Sequence, residues 1–169
     1  MRRLLDGIYR GAGWAAGVFM VGTLAMVLAG VLGRVMDFHL RGTDSYAGFC
    51  MAASFFLALA HTFVKGEHIR VSLVLQQLRP KTLRVVEIAC HLLGATLAWV
   101  LTWFSARLVW QSHVLNDVSQ GMDATPLWVP QIAMAVGAAV LAIAVTDRLW
   151  GVLSKPDWQP PHSETAFSE

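Results

Sequence analysis

The feature that most limits this chain is where its charges are missing. Cutting the sequence at every Asp, Glu, Lys and Arg leaves four long uncharged intervals, 11–33, 45–64, 88–106 and 124–146, of 23, 20, 19 and 23 residues. An α-helix rises about 1.5 Å per residue, so crossing ~30 Å of hydrocarbon takes about 20 residues. A core helix of a soluble domain is usually shorter and keeps a polar face. The intervals therefore predict an all-α membrane protein with four transmembrane helices. Composition agrees: 56% of the residues are apolar and only 14% carry a full charge, against about 25% charged in a soluble domain. Two cysteines exclude a disulfide-stapled secreted module. A net charge of +2 gives no argument for nucleic acid.

The residues between the intervals come in pieces of 10, 11, 23, 17 and 23. Domains below about 40 residues rarely fold alone. The expectation is one integral membrane domain over 1–169, with no room for a soluble catalytic or ATP-hydrolysing unit. No Gly-rich phosphate loop followed by Lys-Ser or Lys-Thr occurs, so an enzyme is not expected. Arg2 and Arg3 precede the first interval as in a signal peptide, but a signal's apolar region runs about 7–15 residues. This one runs 23 with Arg34 directly after it, and reads as an uncleaved helix.

Lys and Arg set the expected orientation. With the N-terminus inside, ten fall on the inner side and three (Arg34, Arg41, Arg107) on the outer. Cytoplasmic loops carry the excess of Lys and Arg, which predicts a multi-pass membrane protein with both termini and the 65–87 loop cytoplasmic; the family resemblance given below implies that the membrane is a bacterial inner membrane. Trp14, Trp110, Trp128 and Trp150 fall near span ends, where amphipathic rings favour the interface.

Coupled transporters that carry their own substrate usually keep an ionisable group in the membrane. No Asp, Glu, Lys or Arg lies in any of the four intervals, which counts against a self-sufficient pump. Small residues four apart offer helix-contact material: Gly13 and Gly17, then Ala25, Ala29 and Gly33; Gly94 and Ala98; Ala133 and Gly137, with Ala138 and Ala142. Such spacings let helix backbones approach closely in lipid.

His61 and His91 lie at matching depth, each four residues from the cytoplasmic end of its span. Two imidazoles at one depth could clamp a haem iron between helices, which gives an alternative reading as a four-helix b-type cytochrome. The simpler reading, with no cofactor, has each imidazole bonded to a carbonyl or a Thr. Cys50 and Cys90 lie near opposite ends of their spans, roughly 20 Å apart by helical rise, too far to bridge. They read as packing residues.

The 65–87 loop is patterned. Val71, Val74, Leu75 and Leu78 follow i, i+3, i+4, i+7, with Arg70, Ser72, Gln76, Gln77 and Arg79 outside the stripe. This predicts a short amphipathic surface helix against lipid headgroups. Pro80 then suits the first turn of a new helix. Before span 4, Thr125 is placed to cap a helix whose first turn holds Pro126, with Pro130 just inside as a kink and Trp128 as an interfacial anchor.

Two runs carry a family resemblance. Gly66-Glu67-His68-Ile69-Arg70-Val71 follows span 2, and Thr125-Pro126-Leu127-Trp128-Val129-Pro130-Gln131, with Gly137, opens span 4. With the four-span topology they resemble the small membrane subunit (DctQ-like) of tripartite ATP-independent periplasmic, or TRAP, transporters. Ser72 stands where that family often has Asp. The resemblance implies an auxiliary small permease subunit that scaffolds a large membrane subunit holding the substrate and sodium sites. It also implies a periplasmic substrate-binding protein that delivers organic acids, and secondary active transport driven by sodium rather than ATP. The expected partners are those two proteins and membrane lipids, with no nucleic acid. A periplasmic protein must land on the outer face, where the charged candidates are Arg34, Asp37, Arg41, Asp44, Arg107, Asp117 and Asp123.

Overall fold

The computed structural model describes residues 2–38, 40–65, 80–121 and 124–154. Four helices account for almost all of them: α1 (Arg2–Val35), α2 (Thr43–Lys65), α3 (Pro80–Val114) and α4 (Trp128–Ser154). All four are long and apolar enough to cross a membrane. α1 and α3, with 34 and 35 residues, span roughly 50 Å at the helical rise, well beyond the ~30 Å hydrocarbon core. The charge-free intervals mark only the apolar part of each helix, because the backbone ladder runs on through Asp6 and Arg10 in α1 and through Arg84, Glu87 and Arg107 in α3. α3 starts at Pro80, as the sequence suggested. The stretch expected to form a surface helix, with Val71, Val74, Leu75 and Leu78, lies outside the described residues.

The start of α4 corrects the sequence reading. The helix begins at Trp128, not at Thr125. Pro126 instead pairs with Val118 in an isolated antiparallel bridge, and the Leu127 amide donates to the Asp117 carbonyl at 3.0 Å. Residues 117–119 and 125–127 thus lie side by side before the helix opens. The Thr125 hydroxyl donates to Tyr46 Oη at 2.9 Å. Pro130 is the third residue of α4. In the first turn its missing N–H has no intrahelical acceptor to lose, so it introduces no break there.

The helices stand in the order α1, α2, α4, α3: α1 packs on α2, α2 on α4, and α4 on α3, while α1 only grazes α4. α3 packs extensively on α4 alone. The result is an open row, not a closed bundle.

Its seams are built from small residues. Gly137 meets the backbone of Phe56 so closely that a Cβ there would sit 2.6 Å from the Phe56 carbonyl carbon and oxygen. Ser54 Oγ donates to the Ala16 carbonyl at 2.9 Å across the α1–α2 seam, and Trp99 Nε1 donates to Thr146 Oγ1 at 3.1 Å across α3–α4. Tyr9, Ala12, Ala60, Val140 and Ala144 close the core where α1, α2 and α4 meet. Large apolar side chains point outward instead, including Trp14, Trp103, Trp110 and Trp150. In lipid this inversion is expected, because tails are as apolar as leucine and helices associate through close backbone contact. Trp128 differs from the other described tryptophans in being half-buried, edge-on to the His113 ring at 5.4 Å.

Candidate functional site

At the end of the row where α1 and α3 finish, two helix stops shape the surface. α1 stops with Asp37 in the left-handed region (φ 55°) and the Phe38 amide donating back to the Gly33 carbonyl at 2.7 Å. α3 stops with Asn116 at φ 52°, the Asp117 amide reaching the Ser112 carbonyl at 3.0 Å and the Asn116 amide that of His113 at 3.4 Å. Both have the pattern of a Schellman stop, in which the last carbonyls are satisfied by the chain turning back. Gly33 is needed in the first, since a Cβ there would lie 2.6 Å from the Phe38 carbonyl oxygen.

Between these turns opens a cavity of about 340 Å³ that brings Arg34, Arg41 and Asp44 together with Gly121 of the α3–α4 connection. Arg34 Nη2 lies 3.4 Å from Asp44 Oδ2, with both side chains largely exposed. The Tyr46–Thr125 hydroxyl bond ties the start of α2 to the segment before α4, so the two loops form one surface. Of the charged candidates, three therefore line the cavity. Asp37 ends α1, Arg107 is exposed on α3, and Asp117 is exposed in the following turn. Asp123, like His68, Ile69 and Arg70, falls outside the described residues.

The small-residue positions divide. A Cβ on Gly13 would meet the His61 ring at 2.9 Å, and one on Gly94 would touch Val145 at 3.6 Å, while one on Gly17 would meet nothing within 4 Å. Ala98 and Ala138 are buried.

The histidines do not share a gap. His61 Nδ1 is 3.2 Å from the Tyr9 carbonyl of α1, and His91 Nδ1 is 2.8 Å from the Glu87 carbonyl one turn back in α3. α4 stands between the helices that carry them. This is the carbonyl-bonded arrangement, and nothing in it favours the cytochrome alternative. Cys50 is half-buried with Sγ against Gly22, whereas Cys90 is exposed among the described residues.

The opposite end holds features that no local pattern announced. Tyr9 is 4% exposed and Glu87 is 8% exposed. A second cavity, of about 290 Å³, is lined by Asp6 and Tyr9 of α1, Val64 of α2, and Asp147 and Arg148 of α4. Arg148 Nη2 donates to the Val64 carbonyl at 2.8 Å.

A row of four membrane-length helices, small-residue seams and one loop-built polar face define a multi-pass membrane component. A family model described as "Tripartite ATP-independent periplasmic transporters, DctQ component" matches residues 23–155. The chain belongs to this family, the small permease component of TRAP transporters. Comparison with curated proteins gives no significant match.

Proposed function

We propose that this chain is the auxiliary small subunit of a sodium-driven, binding-protein-dependent importer of organic acids, in which it scaffolds the large membrane subunit. The observation that carries the reading is the open row. α1 and α3 each pack on one side only, and α3 turns Trp103, Phe104 and Trp110 outward. Such a row offers a long apolar face to another membrane protein, and small-residue positions such as Gly17 offer it backbone. The four uncharged intervals supply no carboxylate or cation at mid-membrane for coupled transport. Family membership supports a large membrane subunit and a soluble substrate-binding protein as partners.

In this reading both termini are cytoplasmic, following the ten-to-three division of Lys and Arg. The face around Arg34, Arg41 and Asp44 is then periplasmic and forms part of the landing surface for the binding protein. Exposed charges act on encounter rate and register more than on raw affinity. Reconstitution tests the proposal: sodium-driven uptake in liposomes should require a large subunit and a binding protein in addition to this chain. Uptake by this chain alone would overturn it.

A further inference from the structure

The cavity between α1, α2 and α4 holds an unsatisfied group. Among the described residues, Tyr9 Oη is buried without a hydrogen-bond partner, although the residue is 4% exposed and lines the cavity. A buried polar atom without a partner is uncommon and calls for an occupant that the protein alone does not supply. The charges of Asp147 and Asp6 both act on this hydroxyl, and both carboxylates line the same cavity with their residues exposed. Two anionic acceptors beside a phenol oxygen suit a group with several N–H donors and a positive charge. Arg148 adds a fixed positive charge on the same wall, oriented by the Val64 carbonyl.

Depth narrows the ligand. The cavity lies where the apolar part of α1 begins and those of α2 and α4 end, and Trp150, 71% exposed, precedes its lining residue Gly151 at the same level of α4. That is the level of lipid headgroups, where tryptophans anchor. Leu5, Val64 and Ala144 give the cavity apolar walls. We propose that this cavity binds the headgroup of a phospholipid carrying a primary ammonium, such as phosphatidylethanolamine. The ammonium sits between Asp6, Asp147 and the Tyr9 hydroxyl, and Arg148 complements the phosphodiester. The lipid joins the ends of three helices beside the core of Tyr9, Ala12, Ala60, Val140 and Ala144. The site stands independently of the transport reading.

The test is lipid retention by the purified full chain, read by native mass spectrometry after exchange into mixed lipids with identical acyl chains. Phosphatidylethanolamine should be retained about tenfold over phosphatidylcholine, whose quaternary ammonium has no N–H to donate, as expected for losing a charge-assisted hydrogen bond. Phosphatidylglycerol, which lacks the cation, should also lose. Asp6→Asn with Asp147→Asn should abolish the preference, and Tyr9→Phe should reduce it. Equal retention of phosphatidylethanolamine and phosphatidylcholine by the unaltered chain overturns the proposal, and that comparison needs no variant to fold. A preference that survives the double substitution in a folded chain also overturns it. Soluble glycerophosphoethanolamine should compete poorly; tight binding of it would assign the site to a free solute and defeat the lipid assignment.

Discussion

Replacing Gly137 with Ala tests the central seam of the row directly. The new Cβ would lie 2.6 Å from the carbonyl carbon and oxygen of Phe56 and 2.8 Å from its Cβ. Because those neighbours are backbone and Cβ atoms, no rotamer change relieves the clash, and α2 and α4 must separate. Overpacking by a methylene costs about 1–3 kcal/mol, and a rigid neighbour places this case near the top of that range. Against it stands the gain of up to ~1 kcal/mol in helix propensity on changing Gly to Ala. The net expectation is a loss of about 2 kcal/mol. Gly17→Ala is the matched control, since its Cβ would meet nothing within 4 Å; it keeps the propensity gain without the clash. The two variants should therefore differ by about 3 kcal/mol, a factor of roughly 100 in the folding equilibrium. For a chain of this size about 1 kcal/mol corresponds to ~2–4 °C, so Gly137→Ala should melt about 4–8 °C below the unaltered chain in detergent. Gly17→Ala should melt at or slightly above it. A Gly137→Ala chain that melts at or above the unaltered one would refute the claim that α2 and α4 are in backbone contact there.

Further outcomes follow from the same geometry. Asp37→Gly should preserve or slightly raise the melting temperature, whereas Asp37→Val should lower stability by about 1–2 kcal/mol, or ~2–8 °C in melting temperature, because φ 55° disfavours a side chain and most of all a β-branched one. Ser54→Ala should cost about 0.5–1.5 kcal/mol through loss of the buried bond to the Ala16 carbonyl, measured by denaturant titration against a Ser54→Thr control. A double-mutant cycle on Arg34 and Asp44 should give a coupling below ~1 kcal/mol that vanishes in high salt, since both side chains are largely exposed. Charge reversal at Arg34, Arg41 and Asp44 together should slow uptake by the assembled transporter more at low than at high ionic strength. Reporter fusions at Glu169 and within 115–121 should report opposite compartments, and a periplasmic signal at Glu169 would overturn the proposed orientation.

Hydropathy and charge made the helices legible because crossing lipid requires both length and the absence of ionised groups, and each leaves a local mark in the sequence. The helix ends were less legible. Charge placement located the apolar part of α3, but the ladder continues through Arg84 and Arg107, since ionised residues at the margins cost the helix nothing. The start of α4 was misread because Thr followed by Pro is a sound capping signal in isolation. Here the Thr125 hydroxyl is taken by Tyr46 of α2, a partner 79 residues away. The row order was not legible at all, because Gly and Ala four apart recur along the helices and do not name their partners. Gly13 and Gly17 stand one turn apart, yet only Gly13 meets another helix in this chain. The Tyr9 cavity was hidden for the same reason: Asp6 and Asp147 become neighbours of one hydroxyl only after α1 and α4 are packed against α2.

The row order also bears on what such a chain can do. A closed four-helix bundle buries its polar positions along an axis and so has a place to hold an ion or a haem. In this row α1, α2 and α3 pack on one or two neighbours, α4 on α2 and α3 with a light contact to α1, and the seams here hold alanine, glycine and serine in close contact. The two cavities described lie at the ends, one among loops and one at headgroup level. What the row has in abundance is surface, and surface in lipid gains value only when another protein's helices cover it. That physical asymmetry, rather than any single residue, is the support for the scaffolding role proposed above.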